Sequence, residues 1–477
     1  MGQEATPPLP DGIFSLLDTD LYKLTMQCAI LKYFPDVDVT YGFTNRTPDM
    51  KLRRGAYKWL LEQMEKLANV RVTAEERAFL KKKCPYLNDT YLTFLETFQL
   101  KPIEQIEIKF TPTQDTGSDE DEGVVEYTIK GLWVDTILYE IPLLALTSQA
   151  YFMFSNTDWD HHNQEEKAYR KGCTLLENGC VFSEFGSRRR RDYHTHDLVM
   201  KGLCRASEEG KQKGWKGALT GTSNVHFAMK YNVNAVGTVA HEWYMTIAAI
   251  TNDYTNANEL ALGYWLGCFG EGVLGIALTD TFGTPAFLEA FSKPIPESIL
   301  PRDGSSPAKT YAQVYTGVRQ DSGDPTYFVK MVRDFYDREG ITDKKMVVFS
   351  DSLDIEHCLE YKTISEEAQF IPSFGVGTFF TSTFNCFKEN LETLSSLILT
   401  HHDVDDFVNK SNGEKSKPLN IVIKIATANG CPAVKLSDNI GKNTGDEAKV
   451  QEVKKQLGYT EQRWAEGDES NRWMQRT

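Results

Sequence analysis

From Cys180 to Phe380 one pattern recurs seven times: a short apolar run, a polar tip, then a segment of helical period. The tips are Glu184-Phe185-Gly186-Ser187, Gly221-Thr222-Ser223-Asn224, Ala240-His241-Glu242, Thr279-Asp280-Thr281, Arg319-Gln320-Asp321-Ser322-Gly323, Ser350-Asp351-Ser352 and Gly375-Val376-Gly377-Thr378. Their spacing, roughly 20 to 40 residues, is the length of a βα unit. Successive βα units demand a parallel sheet covered by helices, and the loops after its strands collect on one face, where chemistry sits. Seven units predict an irregular or incomplete β/α barrel over residues 179–399. A doubly wound open sheet is the alternative, weakened because no G-x-G-x-x-G follows the early strands.

The flanks read differently. Leu21–Phe34, Tyr57–Leu67 and Ala74–Lys83 read as helices; Val39–Phe43, Ile106–Thr111 and Val124–Leu132 read as strands. The last two strands flank an acidic, glycine-bounded run, 115–123, expected to be an exposed and disordered hairpin tip. Ile421–Ala428, Asn429-Gly430 and Pro432–Ser437 read as a second hairpin, because Asn-Gly suits the tight turn. That hairpin is expected to rejoin the N-terminal strands. The fold class is therefore α/β: the barrel plus an α+β domain built from 13–178 and 400–477, after a disordered tail over 1–12. Asp446–Gly458 reads as a charged surface helix.

A chain of 477 residues exceeds one ordinary core. Its net charge of −15 disfavours general binding to nucleic acid or anionic membranes but permits a local basic pocket. No apolar run reads as transmembrane, and Met1–Asp11 lacks the basic-then-apolar pattern of a leader. Met1-Gly2-Gln3-Glu4-Ala5-Thr6 fits only the loose myristoylation pattern. Nine scattered cysteines without C-x-x-C predict reduced thiols in the cytoplasm, or also the nucleus.

The tips mix aspartates (Asp280, Asp321, Asp351), arginines (Arg188, Arg319), hydroxyls (Thr222, Ser223, Thr238, Thr378) and glycines (Gly375, Gly377). Glycine turns admit phosphate to backbone N–H groups. Arginine binds phosphate or carboxylate bidentately, and aspartate can hold Mg2+ or ribose hydroxyls. Together they suit a phosphorylated sugar. Arg188–Arg191 reads as a solvated charge run or, at a helix start, as an anion contact through Arg188. Arg319 and Asp321 share one face of a strand end. His241 reads as a satisfied strand-end histidine, a general acid/base or a phosphoryl acceptor. His161-His162, His194-x-His196 and His401-His402 lack the partners of a zinc site.

Several stretches then match one family in order: Leu17–Met26, Tyr41–Arg46, Phe182–Arg189, Leu219–Asn224, Gly237–Glu242, Gly317–Pro325, Phe374–Thr378 and Val434–Asp438. On these residues the chain resembles the eukaryotic nicotinate phosphoribosyltransferases, the fungal form in particular. The resemblance implies the type II phosphoribosyltransferase fold. It also implies transfer of phosphoribose from phosphoribosyl pyrophosphate to nicotinate in NAD salvage, coupled to ATP hydrolysis with Mg2+. His241 then resembles the histidine that ATP phosphorylates, and Asp280, Asp321 and Asp351 resemble ribose or metal ligands. Phe185 and Tyr22 resemble the aromatics that sandwich the pyridine ring, Tyr22 coming from a second subunit in dimeric relatives; a homodimer is left open. Arg319 and Thr238 look like readers of the nicotinate carboxylate, and Arg188 like a pyrophosphate contact. Gly375, Gly377 and Thr378 look like a 5-phosphate cradle. Ser223 stands where the related nicotinamide enzyme has an aspartate, which favours nicotinate. A nicotinamide enzyme and a non-catalytic binding paralogue are the alternatives.

Overall fold

The computed structural model describes residues 11–301, 307–382, 417–439 and 442–459. The acylation pattern at Gly2, His401-His402 and the domain boundary at 399/400 lie outside the described residues. Strands β1 (Asp38–Asn45), β2 (Leu52–Arg53), β3 (Ile106–Pro112) and β4 (Glu122–Leu132) precede the repeat. The repeat supplies β5 (Val181–Glu184), β6 (Ala218–Thr222), β7 (Asn234–Ala235), β8 (Ile276–Leu278), β9 (Gly317–Gln320), β10 (Met346–Phe349) and β11 (Ile371–Val376). The chain returns in β12 (Ile421–Ala428) and β13 (Cys431–Pro432).

All seven repeat strands join one sheet in the order β7-β6-β5-β11-β10-β9-β8, every pairing parallel. That order is cyclic except for one missing pair, β7 with β8, so the sheet curls without closing. The connection from β7 to β8 carries two apolar helices, His241–Thr251 and Ala257–Phe269. The N-terminal helix Leu21–Tyr33 packs on the second of these: Tyr33 and Tyr264 ring centroids lie 5.0 Å apart, and Lys32 Nζ donates to the Gly267 carbonyl at 2.7 Å. The incomplete barrel is the fold the repeat predicts.

The other sheet is antiparallel, in the order β13-β12-β1-β4-β2, with β3 on β4. β12 pairs with β1 from Val39 against Ala428 to Asn45 against Ile421, so the C-terminal hairpin does rejoin the N-terminal strands. Its turn residues Asn429 and Gly430 have φ of 47° and 77°, as a primed turn demands.

Three expectations need correction. The acidic run 115–123 is a hairpin connection held by its own side chains rather than a disordered tip. Asp121 accepts from the Thr116 and Gly117 amides at 3.0 Å each and pairs with Arg54 at 2.9 Å. Second, one continuous helical stretch, Trp133–Ser155, is long and apolar enough to cross a membrane by length and composition. It is instead a core element, 83% buried over its most apolar window. Third, the arginine run is not one solvated face: Arg188 is exposed in the short 3-10 turn Ser187–Arg189, but Arg190 and Arg191 are buried. The long helix begins at Tyr193, capped by Asp192. Arg190 is buried in a two-pronged pair with Asp18 (2.7 and 2.6 Å), and Arg191 lies 4.0 Å over the Phe152 ring.

Candidate active site

The strand ends of the barrel and one face of the antiparallel sheet enclose a cavity of about 150 Å³. The barrel contributes Phe185, Gly186, Arg188, Arg319, Asp321, Ser350, Asp351, Gly375, Gly377 and Thr378. The other sheet and the segment after its hairpin contribute Arg46, Val422, Lys424, Lys435 and Lys442. With Arg189, seven cations face two carboxylates here, in a chain of net charge −15. Such a hollow is built for a polyanion.

The Phe185 turn is fixed from below. Glu184, fully buried, accepts from Thr222 Oγ1 at 2.6 Å, from the Gly186 amide, and bonds His196 Nε2 at 2.8 Å. The Phe185 amide donates to the Val376 carbonyl at 2.8 Å. A Cβ on Gly375 would lie 2.3 Å from the Phe185 ring, and one on Gly377 would lie 2.9 Å from the Phe185 carbonyl. Only glycine lets the β11 backbone run this close to the aromatic ring.

His241 opens its helix and sits between two acids and a lysine. Its Nδ1 is 3.0 Å from Thr281 Oγ1; its Nε2 is 2.8 Å from Lys435 Nζ, 2.9 Å from Asp321 Oδ2 and 3.6 Å from Asp280 Oδ1. Burial, only partly opposed by Asp280, pushes its pKa down to about 4. The imidazole is therefore neutral at pH 7. Lys435 can only donate, so Nε2 must accept and Nδ1 must carry the proton toward Thr281. The Asp321 carboxylate cannot then be bonded by the same nitrogen. It is held by Arg319 Nη2 at 3.0 Å and Ser350 Oγ at 2.6 Å. Burial alone would raise the Asp321 carboxyl, but the Arg319 guanidinium, with Lys435, outweighs it and holds it below the usual range.

The remaining residues predicted from sequence fall into place around this centre. Asp280 takes Ser322 Oγ at 2.6 Å and Lys435 at 3.1 Å, and Asp351 pairs with Lys442 at 2.7 Å. Arg319 also donates to the Val239 carbonyl at 3.0 Å, beside Thr238. Tyr22, Ser223 and Thr238 do not line the cavity itself. Tyr22 packs beside Gly237 and faces Glu140, which lies 3.7 Å from Arg188. Ser223 and Ser187 both donate to Asp20, at 2.7 and 2.6 Å.

Sequence reasoning assigned no role to Arg46, Lys424, Lys435 or Lys442. Arg46 and Lys435 lie inside family-like stretches, which were the available signal. Lys424 is one polar residue in an apolar strand, and nothing local marks it. In the structure it is surrounded by Lys435, Arg46 and Arg188, and burial with these cations lowers its pKa to about 7.

Comparison with known proteins agrees with this arrangement. The N-terminal domain model of the nicotinate phosphoribosyltransferase (NAPRTase) family matches residues 17–148, and the NAPRTase family model matches 180–412 and 400–461. A probable nicotinate phosphoribosyltransferase of Schizosaccharomyces pombe is 43% identical over 94% of this chain and 98% of that relative. The nicotinate phosphoribosyltransferase of Saccharomyces cerevisiae is 42% identical over 97% of this chain and 99% of its own length. A crystal structure of the Saccharomyces cerevisiae protein superposes with a TM-score of 0.82, covering 95% of this chain and all of that one. The enzyme of Porphyromonas gingivalis gives 0.76 at 29% identity, covering 94% of this chain and all of its own. Matched nearly end to end in sequence and in fold, this chain belongs to the nicotinate phosphoribosyltransferase family of enzymes.

Proposed function

We propose that the protein joins the ring nitrogen of nicotinate to C1 of phosphoribosyl pyrophosphate, releasing pyrophosphate and forming nicotinate mononucleotide. The observation that carries this reading is the single cavity that sets an aromatic ring, Phe185, against a wall of cations. Departure of pyrophosphate leaves an oxocarbenium-like ribose. The enzyme must neutralise the leaving group and hold the ring over C1. Arg188, Arg46, Lys424 and Lys442 supply the neutralising charge. Gly375, Gly377 and Thr378 cradle the 5-phosphate, and Asp351 orients the ribose hydroxyls. Phe185 stacks on one face of the pyridine and Tyr22 supports the other. Tyr22 faces Glu140 beside Arg188 but does not line the cavity of its own chain, so its contact to the ring, from this chain or from a second copy in a homodimer, belongs to the proposal.

His241 is the acceptor of the ATP γ-phosphoryl group in this reading. Its Nε2 lone pair attacks phosphorus, the bond to the bridging oxygen breaks, and ADP leaves. In the tautomer argued above that lone pair accepts from Lys435, so attack requires the ammonium to move from Nε2 onto the transferred group, whose charge it then neutralises. Asp280 and Asp321 fit Mg2+. Asp280 Oδ1 is buried without a hydrogen-bond partner, and one atom from each of His241, Asp280 and Asp321 lies within 4.8 Å of the others. The two carboxylates would hold the ion, which when bound offsets phosphate charge.

Arg319 and Thr238 read the nicotinate carboxylate. Ser223 carries no charge of its own, but Asp20 reaches its hydroxyl. Burial raises the Asp20 carboxyl despite its two serine donors. The test is product formation from purified protein, Mg2+ and phosphoribosyl pyrophosphate with nicotinate or nicotinamide, each with and without ATP. Nicotinate mononucleotide boosted by ATP supports the reading. Turnover only with nicotinamide reverses the specificity argument, and no turnover with either base would favour a binding paralogue.

A further inference from the structure

Asp280 serves an incoming cation only if one of its carboxylate oxygens is kept free and aimed. Its Oδ2 accepts from Ser322 Oγ at 2.6 Å and from Lys435 Nζ at 3.1 Å. Its Oδ1, 3.6 Å from His241 Nε2, is buried without a hydrogen-bond partner. The last torsion of an aspartate side chain is soft, so some contact must keep the two oxygens from exchanging places. Lys435 is poorly suited to this, because its ammonium ends a flexible stem and also bonds His241 Nε2 at 2.8 Å.

Ser322 has no such freedom. It is buried in the turn between β9 and the helix Pro325–Arg338. The buried Gln320 side chain fixes that turn from below, donating to the Ser322 and Gly323 carbonyls at 2.9 and 3.2 Å. Besides Asp280, the Ser322 hydroxyl meets the Asp438 amide at 3.0 Å and Ser437 Oγ at 2.8 Å. An amide N–H only donates, and an ionised carboxylate only accepts. The one Ser322 proton therefore goes to Asp280, and the Ser437 hydroxyl must donate to Ser322. These rear partners are themselves anchored. The Leu436 amide donates to the Thr281 carbonyl at 2.8 Å, and the Tyr459 hydroxyl to the Ser437 carbonyl at 2.6 Å. Asp438 accepts from the Thr284 amide at 2.8 Å and its hydroxyl at 2.5 Å. Between these contacts Ser437 holds a φ of 69°, in the left-handed region that serine seldom adopts.

We propose that Ser322 is a positioning residue: its hydroxyl, fixed from behind by Ser437 and the Asp438 amide, locks the Asp280 carboxylate so that Oδ1 stays turned toward His241 and Asp321. The inference rests on the reading that Asp280 and Asp321 hold Mg2+. One turn then acts twice. Asp321 offers its own carboxylate, and Ser322, next in the chain, aims the carboxylate that follows the neighbouring strand β8. Partners that orient a metal-binding group in this way are worth about 10- to 100-fold in metal affinity.

The test titrates the full-length enzyme with Mn2+ alone, a paramagnetic stand-in for Mg2+, by electron paramagnetic resonance, with the thermal unfolding midpoint beside it. Asp280→Asn identifies the site as the bound Mn2+ it removes. Ser322→Ala is expected to raise the Kd of that Mn2+ about tenfold or more. Its ATP hydrolysis should fall at low Mg2+ and recover at saturating Mg2+. Ser437→Gly removes the rear hydroxyl where the backbone suits glycine. It should raise the Kd by about threefold, and it carries the test if Ser322→Ala does not fold. An unchanged Kd in the folded variant overturns the positioning role, as does a loss of activity that Mg2+ does not restore, the mark of a merely structural residue. Failure of Asp280→Asn to remove any Mn2+ from the unaltered enzyme's complement would instead sink the metal reading, and the role of Ser322 with it.

Discussion

The two sheets supply different halves of the same cavity. The parallel sheet gives it shape and acids: glycine turns, hydroxyls, Asp321, Asp351 and the Phe185 ring, all at strand ends. The antiparallel sheet and its hairpin give it cations: Arg46 after β1, Lys424 within β12, then Lys435 and Lys442. The barrel mouth brings three cations of its own, Arg188, Arg189 and Arg319, and the facing side adds the other four, Arg46, Lys424, Lys435 and Lys442. The same division appears within four residues of sequence, where Arg188 faces the cavity while Arg190 is spent on the fold.

The comparison breaks first, and hardest, at His241. His241→Ala should abolish phosphoenzyme formation, ATP hydrolysis and most ATP stimulation, yet leave slow base transfer, because the cavity that binds base and sugar survives. ATP coupling that persisted in this variant would refute the assignment. The paired arginines sharpen the division next. Arg190→Met strands the buried Asp18 carboxylate and should destabilise the fold by about 3–5 kcal/mol in urea unfolding. Arg188→Met should leave unfolding almost unchanged and raise the KM for phosphoribosyl pyrophosphate. Equal stability loss in both would erase the distinction.

Smaller effects follow. Gly375→Val drives a Cβ against the Phe185 ring and should cost about 1–3 kcal/mol in urea unfolding, with a rise in nicotinate KM as the ring is displaced. Lys424 gives the cation wall a pH dependence. With a pKa near 7 it is charged below pH 7 and loses its charge as pH rises. Affinity of the free enzyme for phosphoribosyl pyrophosphate should therefore fall between pH 7 and 9, by about tenfold. Lys424→Arg should flatten that profile, and a slope that survived the substitution would assign the titration elsewhere. Ser223→Asp should have the smallest effect, a several-fold loss in nicotinate kcat/KM worth about 1 kcal/mol, because the new carboxylate and Asp20 can share a proton. Unchanged nicotinate kinetics would remove Ser223 from the specificity argument.

The barrel half was legible because its functional groups recur at a period. Each βα unit ends in a polar tip, and a parallel sheet brings such tips to one face, so Asp280, Asp321, Asp351 and Gly375 could be gathered from spacing and composition. The opposite half was not. β12 reads Ile421-Val422-Ile423-Lys424-Ile425, and a single lysine in an apolar strand carries no sign of the face it meets. The arginine run misled because charge in a local window implies solvent; the distant Asp18 decides that Arg190 is buried. The acidic run misled for the same reason, since Arg54 and the Asp121 side chain order it.

What the sequence determined by itself was therefore local and periodic: the seven strands, the Asn-Gly turn, the glycines at β11 and a histidine at the start of a helix. Backbone propensity and hydrophobic period act over a few residues and are written there. The tertiary structure decided which charges meet. It set Lys435 against His241 across 194 positions of sequence, and Lys23 against Glu242 across 219. Electrostatic partnership depends on distance in space and on exclusion of water, and neither exists until the two sheets close on one another.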